Sequence, residues 1–233
     1  MGWGLFGKLP AKRDFVALHI PRTVLEPYET WVQGAMAASR NRLGGAFDDS
    51  YLISPIWRFV IGREIYGRSC AGALMPSVDR VGRLFPLTIV FCAEPGEAIA
   101  PPTIDAMHSL YETLDDRLLG ALEESNAQID PESLLHALPD VPTRVALPEG
   151  SSAIRRGLIW QTEASADEAS SFEAFAHDDY ANAAATRSYW WTTSEVNGSG
   201  PFLFAVEGMP DPYLYVSMLD GRFVEADSIS KSR

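Results

Sequence analysis

Three short apolar runs in the first hundred residues have the length and composition of buried β-strands. They occupy residues 57–61, 70–75 and 87–93, and they are rich in β-branched, aromatic and small apolar side chains. The segments between them are short, whereas a parallel pair needs a crossover of a dozen or more residues. We therefore expect these three strands to pair antiparallel. Pro76 and Pro86 bracket the turn that joins the last two runs.

Helical periodicity replaces the strand pattern in two longer segments. Residues 27–43 carry apolar side chains at spacings of three and four, with Pro27 suited to the first turn and Gly44 suited to the C-terminal stop. Residues 104–122 repeat the pattern with acidic side chains opposite the apolar face. An alanine-rich stretch at 169–185 predicts a further helix.

The C-terminal third predicts a hairpin followed by a short helix. Residues 189–193 and 202–206 read as strands, and the Asn-Gly pair at 197–198 is typical of a hairpin turn. Asp211 is placed to cap a final helix that Gly221 ends. Shorter elements are predicted as strands at 3–9 and 153–161 and as a helix at 130–138.

Strands and helices interleave along the chain, which predicts an α/β fold. We expect a mixed β-sheet with helices on both faces, a three-layer sandwich in which part of the strand pairing is antiparallel. The proline-rich loop at 139–148 is the best candidate for an internal boundary, but composition alone does not establish a second domain. We therefore predict one domain over residues 1–227 and a flexible tail at 228–233.

Charge is distributed unevenly along the sequence. The net charge is −12, yet residues 1–90 carry eleven Lys and Arg against seven Asp and Glu, and residues 91–233 carry eight against twenty-four. An acidic protein lacks the concentrated basic face that phosphate neutralisation needs, which argues against nucleic acid as a partner. The sign change favours either docking by charge complementarity or a simply solvated acidic surface.

The cysteine count and the hydropathy pattern predict a cytoplasmic protein. Cys70 and Cys92 are the only cysteines, and both lie in apolar segments, so we expect buried, reduced thiols rather than a disulfide framework. The N-terminus lacks the long apolar core of a signal peptide. No apolar run approaches the ~18 residues needed to cross a bilayer, so membrane insertion is not expected.

Catalytic and cofactor signatures are missing from the sequence. There is no P-loop, no dinucleotide-binding glycine fingerprint, no HExxH and no paired-cysteine metal motif. The segment 67–71 approaches a nucleophile elbow but lacks the final glycine. His177, Asp178 and Asp179 are adjacent, so on a helix they point to different faces and would not share a metal ion. We expect a protein without cofactor, metal or enzymatic activity.

The turn between the last two apolar runs carries the most informative charges. Asp79 with Arg80 and Arg83 could bind an anionic ligand or an acidic partner, or it could fold the turn as a structural ion pair. Arg58 lies within an apolar strand, where burial requires an acidic partner. We expect it to pair with an acid such as Asp79 or Asp14.

Four stretches resemble a known family. GLFGKLPAKRDFV at 4–16, SPIWRF at 54–59 and MPSVDRVGRLFPL at 75–87 are similar to the signature blocks of the type VI secretion-associated TagF (ImpM) proteins, and YWW at 189–191 is similar to a weaker later block. One departure is Arg13, where the family usually has a glycine. Because glycine permits positive φ, this departure puts the backbone of the first turn in question.

The resemblance implies a bacterial cytoplasmic accessory protein that represses type VI secretion after translation. Its expected partners are components of the secretion machinery, including the forkhead-associated scaffold protein of the threonine-phosphorylation pathway. Two alternatives stay open: a phosphoester-processing enzyme that uses the charged turn, and a scaffold that self-associates through YWW and the strand at 202–206. The oligomeric state is not predicted. The candidate cluster, for partner binding or for a structural ion-pair network, consists of Asp14, Trp57, Arg58, Asp79, Arg80 and Arg83.

Overall fold

In the residues that it describes, the computed structural model of the chain contains eleven strands in three sheets. It describes residues 2–103, 105–123, 129–145, 151–154, 157–160, 180 and 184–223. The strands are β1 (Gly2–Gly7), β2 (Val16–Leu18), β3 (Trp57–Ile61), β4 (Cys70–Met75), β5 (Leu87–Cys92), β6 (Glu97–Ile99), β7 (Thr143–Val145), β8 (Ser151–Ile154), β9 (Gly157–Trp160), β10 (Arg187–Trp191) and β11 (Leu203–Glu207).

Seven of these strands form the central sheet. Their order is β11-β10-β3-β4-β5-β1-β2, and β6-β7 and β8-β9 form two separate two-stranded sheets. Each neighbouring pair in the central sheet is antiparallel. The expected antiparallel pairing of β3, β4 and β5 is confirmed. Antiparallel pairing also extends across the other described strands of this sheet, which corrects the mixed sheet that the sequence suggested.

Helices cover both faces of the central sheet, which confirms the α/β class. They are α1 (Arg22–Leu43), α2 (Phe47–Leu52), α3 (Arg63–Tyr66), α4 (His108–Gly120) and α5 (Pro212–Asp220), with 3-10 turns at Gly44–Ala46, Pro131–Leu134 and Ala184–Thr186. The side chains of α1, α2 and α5 share one core, and those of α4 belong to the other. In the part of the chain that the structure describes, no helix is both long enough and apolar enough to span a bilayer.

Strict alternation along β3 and β4 explains how one sheet fills two cores. In β3, Trp57, Phe59 and Ile61 face α1, whereas Val60 lies in the core beneath α4. Each strand is buried along its whole length, so these strands read in the sequence as continuous apolar runs. On the α1 side, Trp190 packs against both Phe59 and Trp31, with ring centroids 5.0 and 5.2 Å apart.

The C-terminal elements match their predicted positions closely. β10 and β11 pair antiparallel, with Gly198 at positive φ in the turn between them. The side chain of Asp211 accepts a hydrogen bond from the backbone N–H of Tyr213 at 2.8 Å, and Gly221 ends α5 in the left-handed conformation. The hairpin and both caps of this helix are therefore confirmed.

Several element boundaries differ from the sequence prediction. Helix α1 begins at Arg22, so Pro27 lies inside the helix rather than in its first turn. The single strand predicted at 153–161 is instead the hairpin pair β8 and β9. Most of the helix predicted at 169–185 and the tail at 228–233 lie outside the described residues. The single domain over 1–227 stays a prediction.

Candidate functional site

Asp79 organises the turn between β4 and β5. One carboxylate oxygen, Oδ1, accepts hydrogen bonds from the backbone N–H groups of Val81 at 3.0 Å and Arg83 at 2.9 Å. The other oxygen, Oδ2, lies 2.6 Å from Nε of Arg83 and 3.0 Å from Nζ of Lys8. Asp79 is 2% exposed. Four donors therefore saturate this buried carboxylate, and a tight turn closes around it with Gly82 at positive φ.

Lys8 is a partner of Asp79 that the sequence did not predict. Its side chain is buried, and its Nζ also lies 3.4 Å from the backbone oxygen of Arg83 and 5.1 Å from the ring centroid of Phe15. A lysine is rarely buried unless it is paired. The signal in the sequence was a cation among apolar neighbours near the end of the first strand, a position that requires an acid nearby.

The electrostatics of Asp79 favour the ionised carboxylate. Burial on its own raises the pKa of Asp79, but the hydrogen bonds that its carboxylate accepts from Arg83, Lys8 and the N–H of Val81 outweigh burial and hold the pKa well below its usual range. A carboxylate with so low a pKa is a weak base, and each of its oxygens is already engaged. It is therefore built to hold a structure rather than to take up a proton.

The Asp79 turn is joined to the first loop of the chain. Nη2 of Arg83 donates to the carbonyl oxygen of Arg13 at 2.6 Å, and the N–H of Arg80 donates to the carbonyl oxygen of Lys12 at 2.9 Å. Arg13 is not among the described residues with positive φ, so its backbone conformation does not require the glycine that the family usually has there. These contacts bring the stretches 4–16 and 75–87 into one unit.

This unit presents apolar and cationic side chains together at the surface. Phe15 is 50% exposed and packs edge-on against Phe85 at 4.7 Å, and Val81 is 59% exposed. We call the exposed set the two-loop surface, and it consists of Arg13, Phe15, Arg80, Val81 and Arg83. Asp14 is exposed beside it and is not the partner of Arg58. Asp14, Arg80 and Arg83 thus lie in one region, as the sequence analysis grouped them.

Arg58 and Trp57 do not belong to this surface. Arg58 is buried and makes a two-pronged ion pair with Asp115 of α4, with N–O distances of 2.7 and 3.4 Å. Its predicted pairing with Asp79 or Asp14 is wrong, because strand alternation turns Arg58 towards α4 and away from the turn. Trp57 is buried on the opposite face, where its indole N–H donates to the carbonyl oxygen of Met218 at 3.1 Å.

Asp115 is the second residue that the sequence analysis missed. It lies on the apolar face of α4, between the buried Leu114 and Leu118, and an acid in that pattern is the signal that could have identified it. Burial raises the pKa of the Asp115 carboxyl, and the hydrogen bonds and charge of Arg58 offset only part of this rise. This pair therefore joins α4 to the sheet within the protein interior.

The other sequence candidates occupy structural positions where the structure describes them. Trp190 is buried on the α1 side, and Trp191 lies on the α4 side, where its ring centroid is 4.6 Å from that of Tyr111. The two indoles thus contribute to two covered faces of the central sheet. His177, Asp178 and Asp179 lie outside the described residues. Among the residues that are described, no group of three or more His, Cys, Asp or Glu side chains is arranged to hold a metal ion.

Comparison with known proteins places this α/β sandwich in the class of type VI secretion-associated proteins. The family model described as the TagF N-terminal domain, type VI secretion system-associated, matches residues 4–140. The chain belongs to this family. Its fold is similar to the crystal structure of PA0076 from Pseudomonas aeruginosa PAO1, with 29% sequence identity, a TM-score of 0.76 and coverage of 95% of each chain. No curated protein matches the chain.

Proposed function

We propose that this protein represses type VI secretion after translation, by binding a component of the secretion machinery through the two-loop surface. The forkhead-associated scaffold protein is the first candidate partner. The family membership supports the pathway. The single observation that carries the choice of surface is the Asp79 network, which fixes two separate family-like stretches into one exposed unit.

The composition of the two-loop surface suits a protein partner. An exposed aromatic ring beside exposed arginines is the combination enriched at the energetic centres of protein interfaces. Arginine also binds carboxylates through two parallel hydrogen bonds, which favours an acidic segment on the partner. The surface therefore offers an apolar anchor and a cationic rim to such a partner. In this proposal the protein acts in the cytoplasm, where the scaffold is expected.

We also propose that the protein acts without catalysis. The phosphoester-processing alternative needs Asp79 as a base or nucleophile, and four donors already occupy its two oxygens. A phosphatase assay on the purified full chain with p-nitrophenyl phosphate tests this point. Hydrolysis that disappears in Asp79→Asn would restore the enzymatic alternative, and no turnover above background supports the binding role.

The docking proposal is tested with surface variants that leave the Asp79 network intact. Arg80→Glu and Val81→Asp change exposed side chains, while the N–H of Val81 that donates to Asp79 is retained. Arg22→Glu is the matched control, because Arg22 is exposed and distant from the turn. Arg40, near the C-terminal end of α1, approaches the turn, with its Nη2 3.5 Å from the backbone oxygen of Leu84, whereas Arg22 lies at the N-terminal end of the same helix. Those two helix positions are roughly 27 Å apart along the axis.

We expect Arg80→Glu and Val81→Asp each to weaken binding to the purified scaffold by about tenfold or more, since central interface residues commonly contribute over 1.4 kcal/mol. Arg22→Glu should bind like the wild type. In a deletion strain, secretion should rise, and the wild type and Arg22→Glu should restore repression. Wild-type protein that neither binds the scaffold nor alters secretion would overturn the proposal, and unchanged binding by both surface variants would move the interface elsewhere.

A second candidate function, self-association, is favoured by the outer edge of β11. The N–H of Thr192 donates to the carbonyl oxygen of Phe202, and the N–H of Gly208 donates to the carbonyl oxygen of Thr186. Hydrogen-bonded pairs alternate along an antiparallel ladder, so the even-numbered residues of β11 are the ones that hydrogen-bond to β10. The backbone groups of Leu203, Ala205 and Glu207 therefore point away from β10. β11 ends the strand order of the described sheet, and Leu203 is 79% exposed.

Two copies could pair antiparallel about Ala205, which would set Glu207 opposite Leu203 of the second copy and keep like charges apart. Ala205→Pro removes an outward N–H that the sheet does not use, so it should abolish such pairing. Ala205→Ser is the control that keeps the N–H. Light scattering at high concentration that shows a wild-type monomer would remove this candidate.

A further inference from the structure

Cys70 and Cys92 face each other across two neighbouring strands at the base of the hairpin that carries the Asp79 turn. They are direct partners in the β4–β5 register. The N–H of Ala93 donates to the carbonyl oxygen of Ser69 at 3.0 Å, so positions 69 and 93 form a hydrogen-bonded pair. The next pair, Cys70 and Cys92, is therefore non-hydrogen-bonded, the type in which side chains of antiparallel strands come closest.

The two sulfur atoms are already close to bonding distance. Their separation is 3.7 Å, and both thiols are free. A disulfide needs an S–S distance of about 2.05 Å and a Cα–Cα distance of about 4.4–6.8 Å, a range that includes the ~4.5 Å typical of a non-hydrogen-bonded pair. A small side-chain rotation is thus sufficient for closure. No hydrogen bond of the ladder lies between these two residues, so the strands keep their pairing.

The surroundings make the two thiols unequal. The hydrogen bond from Cys70 lowers the pKa of Cys92, and the Arg68 guanidinium acts in the same direction although burial opposes it. Nη1 of Arg68 is held at 2.9 Å from the carbonyl oxygen of Ala93, beside the end of β5. Cys92 is therefore the thiol that ionises first, and a thiolate rather than a thiol is the nucleophile. Cys70 is positioned to resolve the product.

We propose that Cys70 and Cys92 are a redox-active dithiol that a hydroperoxide converts to an intramolecular disulfide. The Cys92 thiolate attacks a peroxide oxygen, the O–O bond breaks, and the departing hydroxide takes up a proton to leave as water. The sulfenic acid on Cys92 is then attacked by the sulfur of Cys70. The S–O bond breaks, and a second water leaves with the thiol proton.

In sum, two thiols and one hydrogen peroxide give one disulfide and two waters, with two electrons passing from sulfur to oxygen. Both side chains are at most 2% exposed, so a small hydroperoxide is the oxidant of suitable size, whereas bulky disulfides are excluded. The new bond would close a loop over residues 70–92. That loop contains the whole Asp79 turn. Oxidation would therefore covalently link β4 and β5 at the base of the hairpin whose tip belongs to the two-loop surface. The proposal is independent of the docking function.

The experiment treats the purified full chain with millimolar hydrogen peroxide under native conditions. The protein is then denatured, alkylated and analysed by intact mass and peptide mapping. We expect both thiols to resist alkylation, the mass to fall by two hydrogen atoms, and a Cys70–Cys92 peptide pair to appear. The Tm should rise by roughly 5–10 °C, because the cross-link restricts the unfolded chain, and dithiothreitol should reverse this rise.

Single variants separate the two roles. Cys70→Ser keeps a hydrogen-bond donor beside Cys92 but removes the resolving thiol, so it should leave a sulfenic acid on Cys92 that dimedone traps when the protein is denatured in its presence. Cys92→Ala should leave Cys70 unreacted. Two outcomes would overturn the proposal in the wild type, whatever the stability of the variants. One is the recovery of both thiols, fully alkylatable, after peroxide treatment. The other is the addition of oxygen atoms to either cysteine without a disulfide.

Discussion

The guanidinium of Arg58 on β3 lies 2.7 Å from the carboxylate of Asp115 on α4. This contact joins the sheet to the helix layer across 57 positions of sequence, and both side chains are largely shielded from water. The Arg58 guanidinium also lies 5.7 Å from the ring of Tyr111, whose hydroxyl donates to the carbonyl oxygen of Phe59 at 2.9 Å. One polar cluster therefore positions α4 on the sheet.

Removal of Asp115 should destabilise the protein strongly. In Asp115→Ala, Arg58 stays buried without its partner, and breaking a buried pair in this way typically costs about 3–5 kcal/mol. Urea unfolding followed by fluorescence measures the loss. The matched control is the double variant Arg58→Met with Asp115→Leu, which removes both charges and should come within about 1–2 kcal/mol of the wild type. Equal losses in the single and double variants would show that the charge pair is not the cause.

Substitutions at the neighbouring residues Asp79 and Arg80 should differ strongly in their effect on the Tm. Asp79→Ala leaves Lys8 buried without its acid and frees two backbone N–H groups, so the Tm should fall on the order of 10 °C. Arg80→Ala changes an exposed side chain and should shift the Tm by about 2 °C or less. Thermal scans of both variants provide the measurement, and similar shifts would contradict the central place given to Asp79.

Acid stability should depend on Asp79. Because its pKa is depressed in the folded protein, the unfolded chain takes up the proton first as the pH falls. The stabilisation by Asp79 is therefore present above the unfolded pKa of about 3.9 and is lost as the pH falls below it, towards the depressed folded pKa. Asp79→Asn should flatten the decline of stability below about pH 4. Unfolding curves at several acidic pH values test this, and identical slopes in the two proteins would refute it.

The start of the first loop depends on Gly7. This residue has φ of 132°, and a Cβ there would overlap the carbonyl oxygen of Pro86. Gly7→Ala should therefore destabilise by at least about 2 kcal/mol. Gly82 also has positive φ, at 83°, but a Cβ there would meet open space, so Gly82→Ala should cost only about 1 kcal/mol. Chemical unfolding compares the two, and equal losses would mean that the contact with Pro86 is unimportant.

Local patterns predicted the elements of this fold better than they predicted its contacts. The bounds of β3 and β4 match the apolar runs, and the caps of α5 follow directly from Asp211 and Gly221, because these signals depend only on neighbouring residues. The all-antiparallel order could not be read, since β10 and β11 join the sheet beside β3 from far along the chain.

The candidate site shows the same limit. The charged turn was identified from Asp79, Arg80 and Arg83, which are neighbours in sequence. Its partner Lys8 follows directly after β1, and it reaches the turn only because β1 pairs with β5. The partner of Arg58 was misassigned because the choice among acids depends on which face of the sheet Arg58 occupies and where α4 crosses it. Those facts belong to the tertiary structure.

The position of β10 beside β3 has a consequence during synthesis. Ribosomes add ~5–20 residues per second, so Trp190 leaves the ribosome on the order of 10 seconds after Phe59, the residue it covers. Until then β3 is an open edge with large aromatic side chains beside it. The nascent chain therefore passes through a prolonged stage at which aggregation competes with folding, and it should depend on chaperones more than a chain whose sheet closes early.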